Sequence, residues 1–248
     1  MNVSPTWQLA LLGTWHLLAG DHAVDLHKRE QRLVAVLAIE GPRPRAYVSG
    51  MLWPESTEQH AAGNLRAAIL KIDRAAPRLL RHDRSGLALH PDVHVDLADL
   101  TACIEQIGGW TLPRATAEPS DSACLAMLLR GDLLPGWYDD WVLYERTRLQ
   151  QARLRALELL TDRLSERGEY AAALVAGSVA VTIEPLSEST HRALIHAQMR
   201  AGNYHDALKI YQAFRNRIMA ELGIRPTERM QMLVRPLLIG TVGRRAKS

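Results

Sequence analysis

Six basic side chains, Arg66, Lys71, Arg74, Arg78, Arg81 and Arg84, fall between His60 and His90 against two acids, Asp73 and Asp83. That local excess of positive charge suits a polyanion, because each phosphate neutralised by Lys or Arg releases a condensed counterion; it is equally the pattern of an ordinary solvated face. Other chemistries find less support. Cys103 and Cys124 are the only cysteines, and without a C-x-x-C spacing they read as reduced core thiols rather than a disulfide or a zinc site. The ten histidines contain no H-E-x-x-H, and the one pair four residues apart, His90 and His94, flanks Pro91 in a loop where that spacing does not align ligands. Asp139 and Asp140 beside Trp137, Tyr138 and Trp141 could suggest an acid–base or carbohydrate site. Adjacent acids with no partner nucleophile do not make one, and aromatics at this spacing read as packing at the entrance of a helix. No phosphate-binding loop of the form G-x-x-x-x-G-K followed by Ser or Thr is present, so nucleotide control within this chain is not expected. The residues read as those of a protein that is not an enzyme and takes no metal or cofactor.

The elements that must present the basic cluster follow from the apolar pattern. Short apolar stretches between residues 7 and 26, broken by Gly13 and by Gly20-Asp21, predict two or three antiparallel strands. A first helix is expected over His27–Ile39, ended by Gly41-Pro42, and a short second one over Tyr47–Leu52, stopped by Trp53-Pro54. The third runs from Ser56, whose hydroxyl with Gln59 three residues on forms a capping-box pattern, to Arg74 before Pro77. At about 3.6 residues per turn, Ala61, Leu65, Ile69 and Ile72 share its core face. His60, Gly63, Ala67 and Arg74 point away, with Asn64, Leu70 and Lys71 on the flanks. Leu79-Leu80 and Leu87–Leu89 then flank the turn Asp83-Arg84-Ser85-Gly86. Three helices followed by a strand-turn-strand read as a winged helix-turn-helix, which makes double-stranded DNA the leading partner.

Pro91–Asp96 reads as a boundary, with Asp96 capping a helix over Leu97–Ile107. A loop rich in Pro, Ser and Thr comes next over Thr111–Ser122, and from there to Leu238 the pattern is helical. Here Gly168-x-Tyr170-x-x-Ala173-Leu174 recurs as Gly202-x-Tyr204-x-x-Ala207-Leu208, an offset of 34 residues. That is the tetratricopeptide period, in which the small Ala lets helices approach and the Tyr fills the groove beside them. Two domains are expected, a winged helix over 1–96 and a helical repeat domain over 97–248, giving a mainly α fold with a small N-terminal sheet. The 248 residues carry a net charge of only +3 and 47% hydrophobic residues, the balance of a globular chain. No apolar run approaches the ~20 residues of a membrane span. The start, Met1-Asn2-Val3-Ser4-Pro5, lacks the basic and apolar regions of a secretory signal, so a cytoplasmic protein is expected.

Leu52-Trp53-Pro54-Glu55 with Asn64-Leu65-Arg66, then Gly131-Asp132-Leu133-Leu134-Pro135-Gly136-Trp137-Tyr138-Asp139-Asp140-Trp141 with Glu145-Arg146, and finally Glu221-Leu222-Gly223-Ile224-Arg225-Pro226, resemble the antibiotic-regulatory (SARP-like) transcription activators of actinobacteria. The resemblance covers nearly the whole chain in order. It implies a winged helix joined to a helical bacterial transcriptional activation domain, binding direct repeats near promoters and recruiting RNA polymerase; head-to-tail dimers on DNA are the expected source of such direct-repeat sites. The residues it assigns to DNA are Asn64, Arg66, Lys71 and Arg74 on the third helix. Given that assignment, Arg81 and Arg84 in the wing are candidates for a minor-groove or phosphate contact, and Arg43 and Arg45 at the start of the second helix for backbone phosphate, where solvated loop arginines are the ordinary alternative. Relatives often carry Arg where this chain has His60 and Ala62, a polar residue at Ala67, a large one at Leu70 and a basic one at Asp73. The missing arginines at His60 and Ala62 support the rival reading, an interaction scaffold whose winged helix binds DNA weakly or not at all.

Overall fold

The computed structural model describes residues 6–82, 86–109 and 119–245, with side chains as far as residue 238. The chain forms two compact units, Met1–Thr101 with Arg130–Thr147, and Ala102–Leu129 with Arg148–Ser248. Arg130–Thr147 lie beyond the boundary expected at residue 96 and pack within the first unit.

The first unit opens with an antiparallel meander of β1 (Trp7–Ala10), β2 (His16–Ala19) and β3 (His22–Ala23). Alternation is clean in β1, where Trp7 and Leu9 are buried and Gln8 is exposed, as a strand with one core face requires. Three helices come next, α1 (Lys28–Glu40), α2 (Arg45–Leu52) and α3 (Glu58–Ala75), then the wing hairpin of β4 (Leu80–His82) and β5 (Leu87–Leu89). Gly86 must be glycine, since a Cβ there would meet the Arg43 carbonyl oxygen at 2.5 Å. That closeness comes from a bridge between Arg43 and Leu87, whose backbone groups exchange two hydrogen bonds of 2.9 Å. A strand that the sequence pattern does not announce, β6 (Val93–Val95), joins the meander parallel to β1, so the order is β3-β2-β1-β6. Three residues beside Pro91 offer too few alternating positions to mark a strand. The free edge of β1 supplies the partner that makes one.

The cap of α3 also differs from expectation. Thr57, not Ser56, accepts the His60 N–H, and the Ser56 N–H donates to the Trp53 carbonyl in the preceding turn. Asp96 does something other than capping. Its buried carboxylate accepts the N–H groups of Leu11 and Leu12 at 2.9 and 3.2 Å and meets Arg130 at 3.3 Å. Beyond β1 the chain holds the Arg130–Thr147 segment: Leu134 N–H donates to Leu11, and Gly13 N–H to Asp132, each at 2.8 Å. Trp137 is buried, stacked on Trp15 at 5.9 Å with the Lys28 ammonium 3.2 Å from its ring centre. Burial lowers the Lys28 pKa below the usual 10.5, against the opposing pull of Asp139. Arg32 pairs with Asp139 at 2.6 Å, and Arg146 donates to the carbonyls of Leu133, Leu134 and Trp137. The Trp-rich motif therefore packs as expected at a helix entrance, except that Tyr138 is 79% exposed.

The remaining helices are α4 (Asp96–Gly108), α5 (Asp121–Leu128), α6 (Asp140–Glu166), α7 (Tyr170–Ile183), α8 (Glu188–Arg200), α9 (Tyr204–Leu222) and α10 (Glu228–Arg245). In the second unit Asp121 receives Arg163 and Arg167 at 3.2 and 2.6 Å, and the buried Arg153 donates to the Leu128 carbonyl. The Cys103 and Cys124 thiols are buried and reduced, and burial, then the Cys103 thiol, pushes Cys124 up to about 12. The two repeats begin alike: Gly168 and Gly202 turn with φ of 80° and 81°, and Ala173 and Ala207 are fully buried. Tyr204, expected to fill a groove, is instead exposed, and Tyr211 and Phe214 fill the core of α8, α9 and α10 with Ile195, Ile218, Met230 and Val234. His191 stacks on Phe214 at 4.2 Å and bonds the Ser187 carbonyl through Nδ1 at 2.8 Å. Burial lowers its pKa from 6.5.

Two outcomes are expected. Asp96→Ala leaves two buried N–H groups unsatisfied and should lower the unfolding free energy by about 2–4 kcal/mol in urea titration, at about 1–3 kcal/mol per orphaned group with partial relaxation. His191 is held neutral in the fold, so it contributes most above pH 6.5 and its contribution is lost as pH falls below that value. Urea midpoints at pH 7.5 and pH 5.5 should therefore diverge less in His191→Gln than in the unaltered chain.

Candidate nucleic-acid interface

Helix α3 buries Ala61, Leu65, Ala68, Ile69 and Ile72, which leaves His60, Arg66, Ala67, Leu70, Lys71 and Arg74 exposed on its other sides. That is the division a period of about 3.6 requires of a helix packed on one face. Arg66 and Arg74 have no ion pair or side-chain hydrogen bond among the described residues, while Asn64 is half-buried at the flank.

Lys71 is differently placed. Its ammonium lies 3.5 Å from Glu30, a residue of α1 that is 2% exposed and whose carboxylate oxygens have no hydrogen-bond partner. A carboxylate out of water needs a countercharge, and Lys71 is the one that reaches it. Glu30, Lys71 and Arg74 line a hollow with Asp25, Leu26 and His27. Nothing in the run His27-Lys28-Arg29-Glu30-Gln31-Arg32 marks Glu30 as the buried member. The signal is positional, since Glu30 precedes Leu33 and Val34 by three and four residues and so shares their inward face.

The other assigned residues divide in the same way. Arg43 is bound to Glu40 at 3.0 Å and lies 5.5 Å from the Tyr47 ring, and the Glu40 carboxylate raises its pKa. Arg45 opens α2 and is exposed. Arg81 is exposed on β4 opposite Ala88. Arg84 lies outside the described residues. Asp73, the acid set among these cations, is 3.3 Å from His82. The interface thus offers guanidinium groups from α3, α2 and the wing, around a helix face whose middle is apolar. Such an arrangement can hold phosphates at its borders and approach base edges at its centre. Among the described residues no cluster of His, Cys, Asp or Glu could hold a metal ion, and no helix is long and apolar enough to cross a membrane.

Residues 113–238 match the family model of the bacterial transcriptional activator domain. Among solved structures, Mycobacterium tuberculosis EmbR, in complex with a low-affinity phosphopeptide, shares the fold. The TM-score is 0.67 with 20% sequence identity, over 95% of this chain and 66% of that one. No curated protein matches the chain in sequence. The helical half and the small N-terminal sheet agree with the fold expected from the sequence, and the matches bear out the resemblance to SARP-like activators. With half of its length in that match, the chain belongs to the bacterial transcriptional activator domain family and is a transcriptional regulator of the SARP type.

Proposed function

We propose that the chain is a cytoplasmic, non-catalytic activator that binds double-stranded DNA at direct repeats near promoters and recruits RNA polymerase, controlling a secondary-metabolite or similar pathway. On this reading residues 1–96 hold the DNA reader and 97–248 the activation module. Helix α3 enters the major groove and the wing lies along the adjacent minor groove, the geometry of helix-turn-helix proteins. The observation that carries the reading is the pair Arg66 and Arg74, exposed on α3 and engaged by no acid among the described residues. Arg45 is assigned to phosphate, Arg81 and Arg84 to the minor groove or phosphate, Asn64 to a base edge or phosphate at the flank, and Arg43 to a backbone contact secondary to its pairing with Glu40. Lys71 acts on DNA chiefly by holding α3 over Glu30. A scaffold without DNA binding is the second reading, favoured by the apolar centre of the same face, Ala67 and Leu70.

Selection of genomic fragments by the purified chain separates the two: a short direct repeat should be enriched, and Arg66→Ala with Arg74→Ala should lose it. On the enriched duplex each of these changes should lower the slope of log affinity against log salt by about 1. No enrichment at low salt favours the scaffold. Lys71→Ala should behave otherwise. It leaves a buried carboxylate uncompensated and should cost about 1–3 kcal/mol in urea unfolding, most of it recovered when Glu30→Gln is added.

A further inference from the structure

The outward stripe of α3 runs His60, Gly63, Ala67, Leu70, Arg74, with the alternating spacing of three and four residues that keeps one side of a helix in line. Only its two ends carry polar groups. Gly63 and Ala67 present a hydrogen and a methyl, and Leu70 is 52% exposed on a helix whose other apolar side chains of its size are buried. Lys71, the cation bordering the stripe, is drawn to Glu30. The middle of the face therefore offers no side-chain donor or acceptor to a base. Arg66 at its edge and Arg74 at its end supply the charge complementary to a phosphate backbone. In the major groove, the base-edge feature that an apolar side chain recognises is the 5-methyl group of thymine. Small residues at 63 and 67 allow the helix to come close to the groove floor, and the Leu70 side chain then reaches a methyl that a longer polar residue would displace.

We propose that α3 reads thymine 5-methyl groups through Ala67 and Leu70, so that the bases facing the middle of the helix are A·T pairs chosen by apolar contact and not by bidentate hydrogen bonds. The inference rests on the DNA-binding reading above. The test uses the full chain and a duplex that it selects from a random pool, resynthesised with deoxyuridine replacing one thymidine at a time, which removes a methyl and nothing else. At one or two positions the affinity should fall about fourfold, the worth of burying one methyl-sized apolar group. In Leu70→Ala the same replacements should matter far less, a coupling that identifies the contact. Leu70 is exposed and Ala favours helix, so the variant keeps its fold, and an unchanged salt slope on the same duplex verifies this. Uridine accepted at every position, or a methyl dependence unaltered in Leu70→Ala and in Ala67→Gly, overturns the inference and leaves DNA binding standing. Failure to enrich any duplex at low salt overturns both.

Discussion

The Asp96 carboxylate accepts the N–H groups of Leu11 and Leu12 and meets Arg130 from the far side of the sequence. A carboxylate this buried needs several donors, since the cost of removing it from water is offset only when its oxygens are bonded. Satisfying it ends β1 and turns the chain so that Leu11, Leu12 and Gly13 face Asp132, Leu133 and Leu134. Gly131 is the residue that permits the approach, because a Cβ there would lie 2.6 Å from the Gly13 Cα. The residues after Leu134 are positioned by the same contacts: Trp137 slides between Trp15 and Lys28, at the first residue of α1. Two residues beyond Lys28, Glu30 holds Lys71 of α3. A contiguous path of packed and paired groups thus runs from the sheet to the helix assigned to DNA. Continuity of this kind is a necessary condition for coupling, and coupling itself requires an element with two arrangements.

The parts of this arrangement that the sequence discloses are those with a period. Ala61, Leu65, Ile69 and Ile72 recur at helical spacing and are all buried, and the two Gly-x-Tyr-x-x-Ala-Leu units open two helices with the same glycine turn. What stays hidden depends on partners far along the chain. Strand β6 has three residues and exists because β1 has an open edge. Asp96 has the residue type and place of a helix cap, yet its oxygens go to groups 84 and 85 residues away. Ser56 and Thr57 are both capping residues, and although Ser is the stronger cap in general, the cap falls to Thr57 while the Ser56 N–H closes the turn after Trp53. Tyr204 and Tyr211 show the same limit in the core, since one repeat motif names the first and packing selects the second.

Charge counted along the sequence also overstates charge available at the surface. Lys71 is opposed by Glu30, Arg43 by Glu40, and Arg78 is engaged within the fold. Asp73, which a linear count subtracts from the cationic face, is drawn to His82. On the proposed reading the cations left for phosphate are few, and each contributes about 0.9 to the salt slope of binding, so one copy grips a duplex weakly at physiological salt. A second copy on an adjacent repeat binds from a high effective concentration and multiplies that affinity without any new contact within either copy. Direct repeats would then supply through spacing what the helix lacks in charge. The apolar centre of α3 fits the same economy: a face that draws little from phosphates discriminates best when the few base contacts it makes are dry and close, and small side chains at 63 and 67 are what permit closeness.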